Sequence, residues 1–280
     1  MDAAVPSRTA EYMALFRAIE SAGPRERRLF EDRQATRFLS PGLRAAAHAA
    51  RVPGLRPAIE RYIDRRWPGP RLSGVVRTRV IDDFVLAAAV DGCTQLVLLG
   101  AGYDTRATRL GPVSSLAVFE VDHPATQARK RATISPSPPH VQYVPVDFEH
   151  DSLPSALTVA GFDVGQRTCL LWEGVFSYLT PEAIDATLAA IAELCSPGSQ
   201  ALITYVDEQA LTGTGAWLAA VRDAGEPFQT GLDPARASEF FLARGLRLSG
   251  DESTREAADR LGVSGAGDIP GFYRLARLET

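Results

Sequence analysis

Apolar residues recur along this chain with two different periods, and the change from one to the other divides it. In RTAEYMALFRAIES, Tyr12, Leu15, Phe16 and Ile19 fall at i, i+3, i+4 and i+7, the spacing that places them on one face of an α-helix. Gly23-Pro24 ends that helix, because proline lacks the N–H that would continue it. RRLFEDRQATRFLS predicts a second helix, closed by Pro41-Gly42. RTRVIDDFVLAAAV predicts another, with Val80, Ile81, Phe84, Val85 and Ala88 on one face. The first 75 or so residues therefore read as helices separated by glycine and proline.

Beyond Val90 the helical period gives way to short, continuous apolar runs: Gln95 to Leu99, Leu116 to Val121, Val141 to Val146, Thr168 to Trp172 and Leu202 to Val206. Helical stretches separate several of them, such as Pro181 to Cys195 with Ile184, Leu188 and Ile191 in register. Strands without polar alternation are buried on both faces, as in a parallel sheet covered by helices. After Pro227 the chain offers a helix (Asp233 to Arg244), a strand around Leu246 to Leu248 and a last apolar run, Tyr273 to Leu278. Such a hairpin-like ending predicts an antiparallel pair at the sheet's edge.

Four successive predicted strands end in a glycine turn or an acid. LVLLGAGYDTR supplies a turn whose glycines let a ligand approach the backbone. Asp122 follows Gly100 by 22 residues, the spacing at which a second-strand acid accepts hydrogen bonds from ribose hydroxyls. Asp147-Phe148 falls where a third strand meets an adenine ring, and Glu173 where a fourth meets the reacting end. A lone Gly-x-Gly is equally a structural turn, and acids after strands also serve as helix caps. The ordered set of four is what points to a nucleotide-like ligand.

A dinucleotide loop wants G-x-G-x-x-G, so that a diphosphate can rest on a helix N-terminus. Here Thr105 stands at the third glycine position with Asp104 beside it, and a carboxylate repels a diphosphate. The same carboxylate suits a phosphate-free ligand bearing an ammonium and a sulfonium, which is the description of S-adenosylmethionine. A P-loop is excluded because no G-K-[ST] occurs.

Composition narrows the class further. The chain has 280 residues, 45% of them hydrophobic, enough for one large α/β domain with an appendage. A net charge of −4 weighs against a broad nucleic-acid-binding face. Lys130 is the single lysine among 30 basic residues, a skew typical of a GC-rich genome, so arginine-rich stretches such as RERR read as solvated surface. Cys93, Cys169 and Cys195 are odd in number and lack metal-site spacing, which predicts reduced core thiols and a cytoplasmic protein. The N-terminus lacks a basic start followed by an apolar run, and no apolar stretch reaches membrane-spanning length.

RTRVIDDF, QLVLLGAGYDTRATRL, VFEVDHP, VPVDFEHDSLPSAL and LLWEGVFSYLTPEAI together resemble the leucine carboxyl methyltransferase family, more closely its bacterial branch with members in polyketide and antibiotic pathways. TAEYMALFRAIES and LFEDRQATRFL resemble that branch too, so the likeness runs from about residue 8 to 207. The resemblance implies an α/β fold: a Rossmann-like, seven-stranded class I methyltransferase sheet over residues 76–280, with an N-terminal helical cover or substrate lid over 1–75. It implies that Arg77 pairs with the carboxylate of S-adenosyl-L-methionine, with Arg79 as the alternative. Gly100, Ala101, Gly102 and Asp104 then line the methionine end, Asp122 takes the ribose, Asp147 and Phe148 lie against the adenine, and Glu173 lies near the amino group. Tyr178 is the candidate for the methyl-transfer region, and Tyr103 for shaping the acceptor pocket.

Other residues carry less. His123 sits in the turn that positions Asp122. His48, His140 and His150 have no partner in sequence, and Lys130 reaches back along its helix without a catalytic role. Trp172 belongs to a buried strand, while Trp67 and Trp217 either line the pocket or pack.

Methyl transfer is an in-line displacement that rests on positioning and water exclusion. A carboxylate acceptor is already ionised at neutral pH, whereas a phenol or alcohol needs a base within hydrogen-bond reach. The sequence presents no convincing base, which favours O-methylation of a small-molecule carboxylate over a hydroxyl, with no nucleic-acid or membrane partner. A protein or tRNA carboxyl methyltransferase, a nicotinamide or flavin enzyme and a non-catalytic scaffold are the alternatives.

Overall fold

The computed structural model describes residues 8–213, 217 and 227–280. Its seven strands are β1 (Gln95–Leu99), β2 (Ala117–Asp122), β3 (Val141–Pro145), β4 (Thr168–Trp172), β5 (Gln200–Val206), β6 (Arg247–Ser253) and β7 (Tyr273–Glu279). They form one sheet in the order β3-β2-β1-β4-β5-β7-β6. The first five are parallel, and β7 runs antiparallel between β5 and β6. The apolar runs located β1 and β4 to the residue and predicted the antiparallel pair at the edge. The chain winds outward from β1 through β3, then returns to the far side of β1 as β4. A crevice opens at that reversal, beyond the carboxyl ends of the two strands.

Both faces of the sheet are packed, which explains the missing polar alternation. Val97 and Leu99 face a core with Trp172, Ile203, Leu157, Ile184 and Leu188. Leu96 and Leu98, pointing the other way, face Val76, Val80, Ile81, Val85 and Ala88.

The N-terminal part is helical, as expected, but its boundaries differ. Helix α1 (Arg8–Ser21) matches its periodic stretch, and it is followed by α2 (Pro41–Ala49), α3 (Leu55–Arg66) and α4 (Pro70–Val90). The helix expected over RRLFEDRQATRFLS is absent; only a short 3-10 turn, Ala35–Phe38, forms there. Asp32 is the reason: its buried carboxylate accepts from the Gln34 and Ala35 N–H groups, a local bond that competes with the helical ladder. Pro41-Gly42 opens α2 rather than closing its predecessor, since proline is tolerated at a first helical position. Pro70 likewise opens α4, so the expected division between residues 75 and 76 falls inside one continuous helix. The helix expected over Asp233–Arg244 is split into a 3-10 turn, Pro234–Arg236, and a short helix, Ala237–Leu242.

The N-terminal helices have their own apolar cluster, in which Leu15, Phe16, Ile19, Phe38, Leu39 and Ile63 pack with Val75 and Tyr103. Helix α1 comes close to α4 at Gly74, where a Cβ would lie 3.1 Å from the Met13 sulfur. No helix among the described residues is long and apolar enough to cross a membrane.

Candidate active site

The turn after β1 is built by hydrogen bonds that only a glycine loop permits. Gly100 has φ +68°, and a Cβ there would sit 2.1 Å from a Val175 methyl. Its N–H and that of Ala101 donate to the Val121 carbonyl at 2.8 and 2.9 Å. The Gly102 N–H donates to one oxygen of Asp122, and the His123 N–H donates to the other at 2.7 Å. The end of β2 is thereby clamped to the loop, with remaining carboxylate lone pairs available to a ligand. Burial pushes the Asp122 carboxyl up, against those two N–H donors.

A cavity of about 400 Å³ opens above these strand ends, within the size range of small-molecule sites. The structure brings Arg77, Gly100, Ala101, Gly102, Asp104, Asp122, Asp147, Phe148, Glu173 and Tyr178 together in its wall. The two arginines are placed differently. Arg77 lines the cavity, whereas Arg79 lies outside its wall, paired with Asp83 at 2.9 Å and donating to the Leu29 carbonyl.

The floor is a chain of ion pairs. Arg77 Nε meets Glu173 Oε1 at 2.7 Å, and Arg106 Nη1 meets Glu173 Oε2 at 2.7 Å. Arg106 also binds Asp82 at 2.8 Å and pairs with Asp104. Arg109 closes the chain on Asp82 at 2.6 Å. Burial alone would raise the Glu173 carboxyl, but Arg106 and Arg77 outweigh it and hold the group below its ordinary range. Asp104 behaves alike: burial is overcome by Arg106, Lys130 and Arg109, and its carboxyl is held at about 2.

This network revises one inference. The Asp104 charge is not a bare carboxylate facing the ligand, because Arg106 takes it through both backbone N–H and guanidinium. The case against a diphosphate therefore rests on the loop's missing third glycine more than on the Asp104 charge. Arg106 itself was missed as a site residue. Its signal was its place in the GAGYDTR turn, immediately after the two positions already singled out.

The cover is tied to the same loop. Arg17 in α1 pairs with Asp32 at 2.9 Å and donates to the Tyr103 carbonyl at 2.6 Å, while the Thr105 hydroxyl donates to Asp32 at 2.7 Å. Tyr103 stacks on Phe38 with ring centroids 4.7 Å apart. Although it borders the cavity, most of its ring is packed into the cover.

The remaining candidates separate by position. His123 and His150 border the cavity. His123 caps the helix Pro124–Thr133, its Nδ1 accepting from the Ala125 N–H, which leaves the proton of a neutral ring on Nε2. His123 follows β2 and His150 follows β3, where the adjacent Glu149 accepts from the Thr180 hydroxyl at 3.3 Å. His48 and His140 lie outside the wall, and the latter bonds the Ala107 carbonyl. Lys130 reaches back to Glu120 at 2.7 Å, a fully buried pair. Trp172 is core, Trp67 packs on Tyr12, and Trp217 lines the cavity stacked on Tyr273. Among the described residues there is no cluster of three or more metal-ligating side chains.

The chain is similar to known proteins in sequence and in fold. The family model described as leucine carboxyl methyltransferase matches residues 10–192. A relative from Mycobacterium marinum, named as an S-adenosyl-L-methionine-dependent methyltransferase, is 38% identical over 205 residues, which cover 69% of this chain. That stretch spans 63% of the relative, under two thirds of its length. A protein of the same name from Mycobacteroides abscessus is 32% identical over 268 residues, covering 87% of this chain and 84% of its own. Two crystal structures share the fold. A methyltransferase from Thermobifida fusca aligns with TM-score 0.61 at 20% identity, over 100% of this chain and 97% of its own. A DUF574 family protein from Streptomyces avermitilis aligns with TM-score 0.59 at 17% identity, over 95% and 96%.

Proposed function

We propose, from the premise that this chain belongs to the leucine carboxyl methyltransferase family, that it is an S-adenosyl-L-methionine-dependent O-methyltransferase acting on a carboxylate of a small molecule in the cytoplasm. The carrying observation is the paired charge at the switch point: Arg77 and Glu173, joined at 2.7 Å in the wall of a cavity about 400 Å³ in volume. A guanidinium and a carboxylate held together suit the zwitterionic end of an amino-acid-like ligand, each charge meeting its opposite.

The donor set fits that cofactor along its length. Arg77 uses Nε on Glu173 and keeps other N–H donors for a carboxylate. Asp122 retains lone pairs for ribose hydroxyls, and Phe148, half-buried against the core, offers an apolar wall to an adenine. When bound, the cofactor supplies a methyl group activated by a sulfonium. The chain's own part is to hold the two reactants in line and keep water out, with α1 and its latch on the Tyr103–Thr105 loop closing one side. Residues 8–75 thus act as a cover, joined to the core through α4. The three buried, unpaired cysteines suit a reducing compartment.

What favours a carboxylate over a hydroxyl is the placement of the bases. Both cavity histidines come from the turns after β2 and β3, and Tyr178, the candidate for the transfer region, is a phenol rather than a base at neutral pH. Isothermal titration tests the cofactor reading. S-adenosylhomocysteine is expected to bind at one site per chain while NAD(H) gives no heat; NAD(H) binding in its place overturns it.

A further inference from the structure

The cofactor reading accounts for the cavity wall from β3 to β4 and leaves the rest of it unexplained. The wall beyond β4, towards β5 and β7, adjoins that end, with the Tyr273 ring 4.9 Å from the Arg77 guanidinium, and none of the cofactor roles above falls on its far side. Its described residues include Tyr178, Trp217, Phe228, Gln229 and Tyr273.

Four of these five are aromatic, and they are organised in pairs. Trp217 and Tyr273 stack with centroids 5.8 Å apart and planes 7° from parallel. Tyr178 and Phe228 meet at 5.1 Å with planes inclined at 44°. The first pair is buried and forms the backing, whereas Tyr178 and Phe228 are only half-buried. The strap carrying Phe228 is held in place from below: the Gln229 side chain donates to the Tyr178 carbonyl at 2.8 Å, and the Gln229 and Thr230 N–H groups donate to the Ser177 carbonyl. Half-exposed rings fixed by their backbone inside a cavity are surface left available for a ligand to cover.

Charge is allocated elsewhere. Each arginine in the described wall already faces a carboxylate: Arg17 faces Asp32, Arg77 Glu173, Arg109 Asp82, and Arg106 both Asp82 and Glu173. The five residues at the β5–β7 end carry no formal charge. Among the described residues, an acceptor seated there therefore meets ring faces and apolar area.

We propose that the acceptor is a planar aromatic molecule, bound against Tyr178 and Phe228 at the β4–β5–β7 end of the cavity. This rests on the methyltransferase reading of the site and goes beyond it in naming the acceptor's class. A saturated chain presents no π-face, and so forgoes the edge and face contacts these rings offer.

The test uses the full-length chain loaded with S-adenosylhomocysteine and titrated with benzoate, 2-naphthoate and anthracene-2-carboxylate. Decahydronaphthalene-2-carboxylate serves as a control of like charge and similar shape without π-electrons. At least one aromatic acid is expected to bind roughly three- to tenfold more tightly than the saturated control, the range of one or two ring contacts. Phe228→Leu is expected to erase that preference while S-adenosylhomocysteine binding stays at the wild-type level, which also reports that the variant is folded. Equal affinity for the saturated acid, no binding by any aromatic acid, or an unchanged preference in Phe228→Leu overturns the proposal and leaves the cofactor reading standing. Failure of S-adenosylhomocysteine to bind wild-type protein overturns both.

Discussion

Arg77 and Glu173 are 96 positions apart and form a 2.7 Å ion pair in the floor of the cavity. Arg77 comes from α4 and Glu173 from the turn after β4, so the pair joins that helix to the end of a strand. Arg77 is further held by the face of Tyr273, 4.9 Å from its ring centroid. The guanidinium is thus oriented from two sides before any ligand arrives.

Removing that guanidinium is expected to weaken S-adenosylhomocysteine binding at least tenfold, because a charge-assisted hydrogen bond contributes roughly 1.5–3 kcal/mol. Arg79→Ala is the control, since Arg79 is turned to Asp83 outside the cavity. Isothermal titration of both variants decides it. A crippled Arg79→Ala beside an unchanged Arg77→Ala reverses the assignment.

Asp122→Ala is expected to act on the same affinity by about tenfold or more, through loss of the ribose acceptor. It also releases the Gly102 N–H, so the loop loses its clamp to β2. Hydrogen exchange at Gly100–Asp104 is expected to speed up in this variant without a ligand present. Weakened binding with unaltered exchange would assign the effect to ligand contact alone.

Acid stability reports on the floor network. The Asp104 carboxyl is held at about 2, below its ordinary 3.8, so its contribution is complete above pH 3.8 and is lost as pH falls towards 2. A shift of that size corresponds to about 2 kcal/mol. Denaturant titrations of wild type and Asp104→Asn are expected to converge between pH 4 and 2. Parallel curves across that window would mean that Arg106 does not stabilise the charged form.

Lys130 and Glu120 form a pair in which both side chains are 3% exposed. Lys130→Met leaves a carboxylate buried without its partner, and is expected to destabilise by roughly 3–5 kcal/mol. Combining it with Glu120→Gln is expected to recover a large part of that loss. A double variant as unstable as the single one would show that packing, not charge pairing, sets the cost.

The acceptor chemistry has its own signature. A carboxylate is fully ionised through the working range, so the pH profile of kcat/KM is expected to be flat from about pH 6 to 8. Methylation of a carboxylate gives a methyl ester, which mild alkali is expected to cleave with release of methanol. A methyl group that survives alkali, with a rate rising through an apparent pKa near 7, would indicate an O-methylated hydroxyl and a base.

Much of the frame was legible without coordinates, because strand burial is a local property. Val97 and Leu99 face one core and Leu96 and Leu98 the other, and a strand covered on both sides must be apolar at every position. The same locality made Gly100, Asp122, Asp147 and Glu173 visible, each at or within two residues of the end of a strand that periodicity could find.

Tertiary structure decided what depends on residues distant in sequence. Arg77 and Arg79 sit two positions apart on one helix and are equivalent by type; the helix's rotation against the sheet sends one to Glu173 and the other to Asp83. Asp32 replaces a helix by a turn because Arg17 and Thr105 come to meet it, the latter from 73 positions away. Arg106 is a hub only because Asp82 and Glu173 converge on it. Tyr178, Trp217, Phe228 and Tyr273 come from four separate segments and share one wall through the insertion of β7 beside β5. Periodicity along a chain records which side of an element is covered, whereas the partner of a charge or a ring is set by which elements end up adjacent.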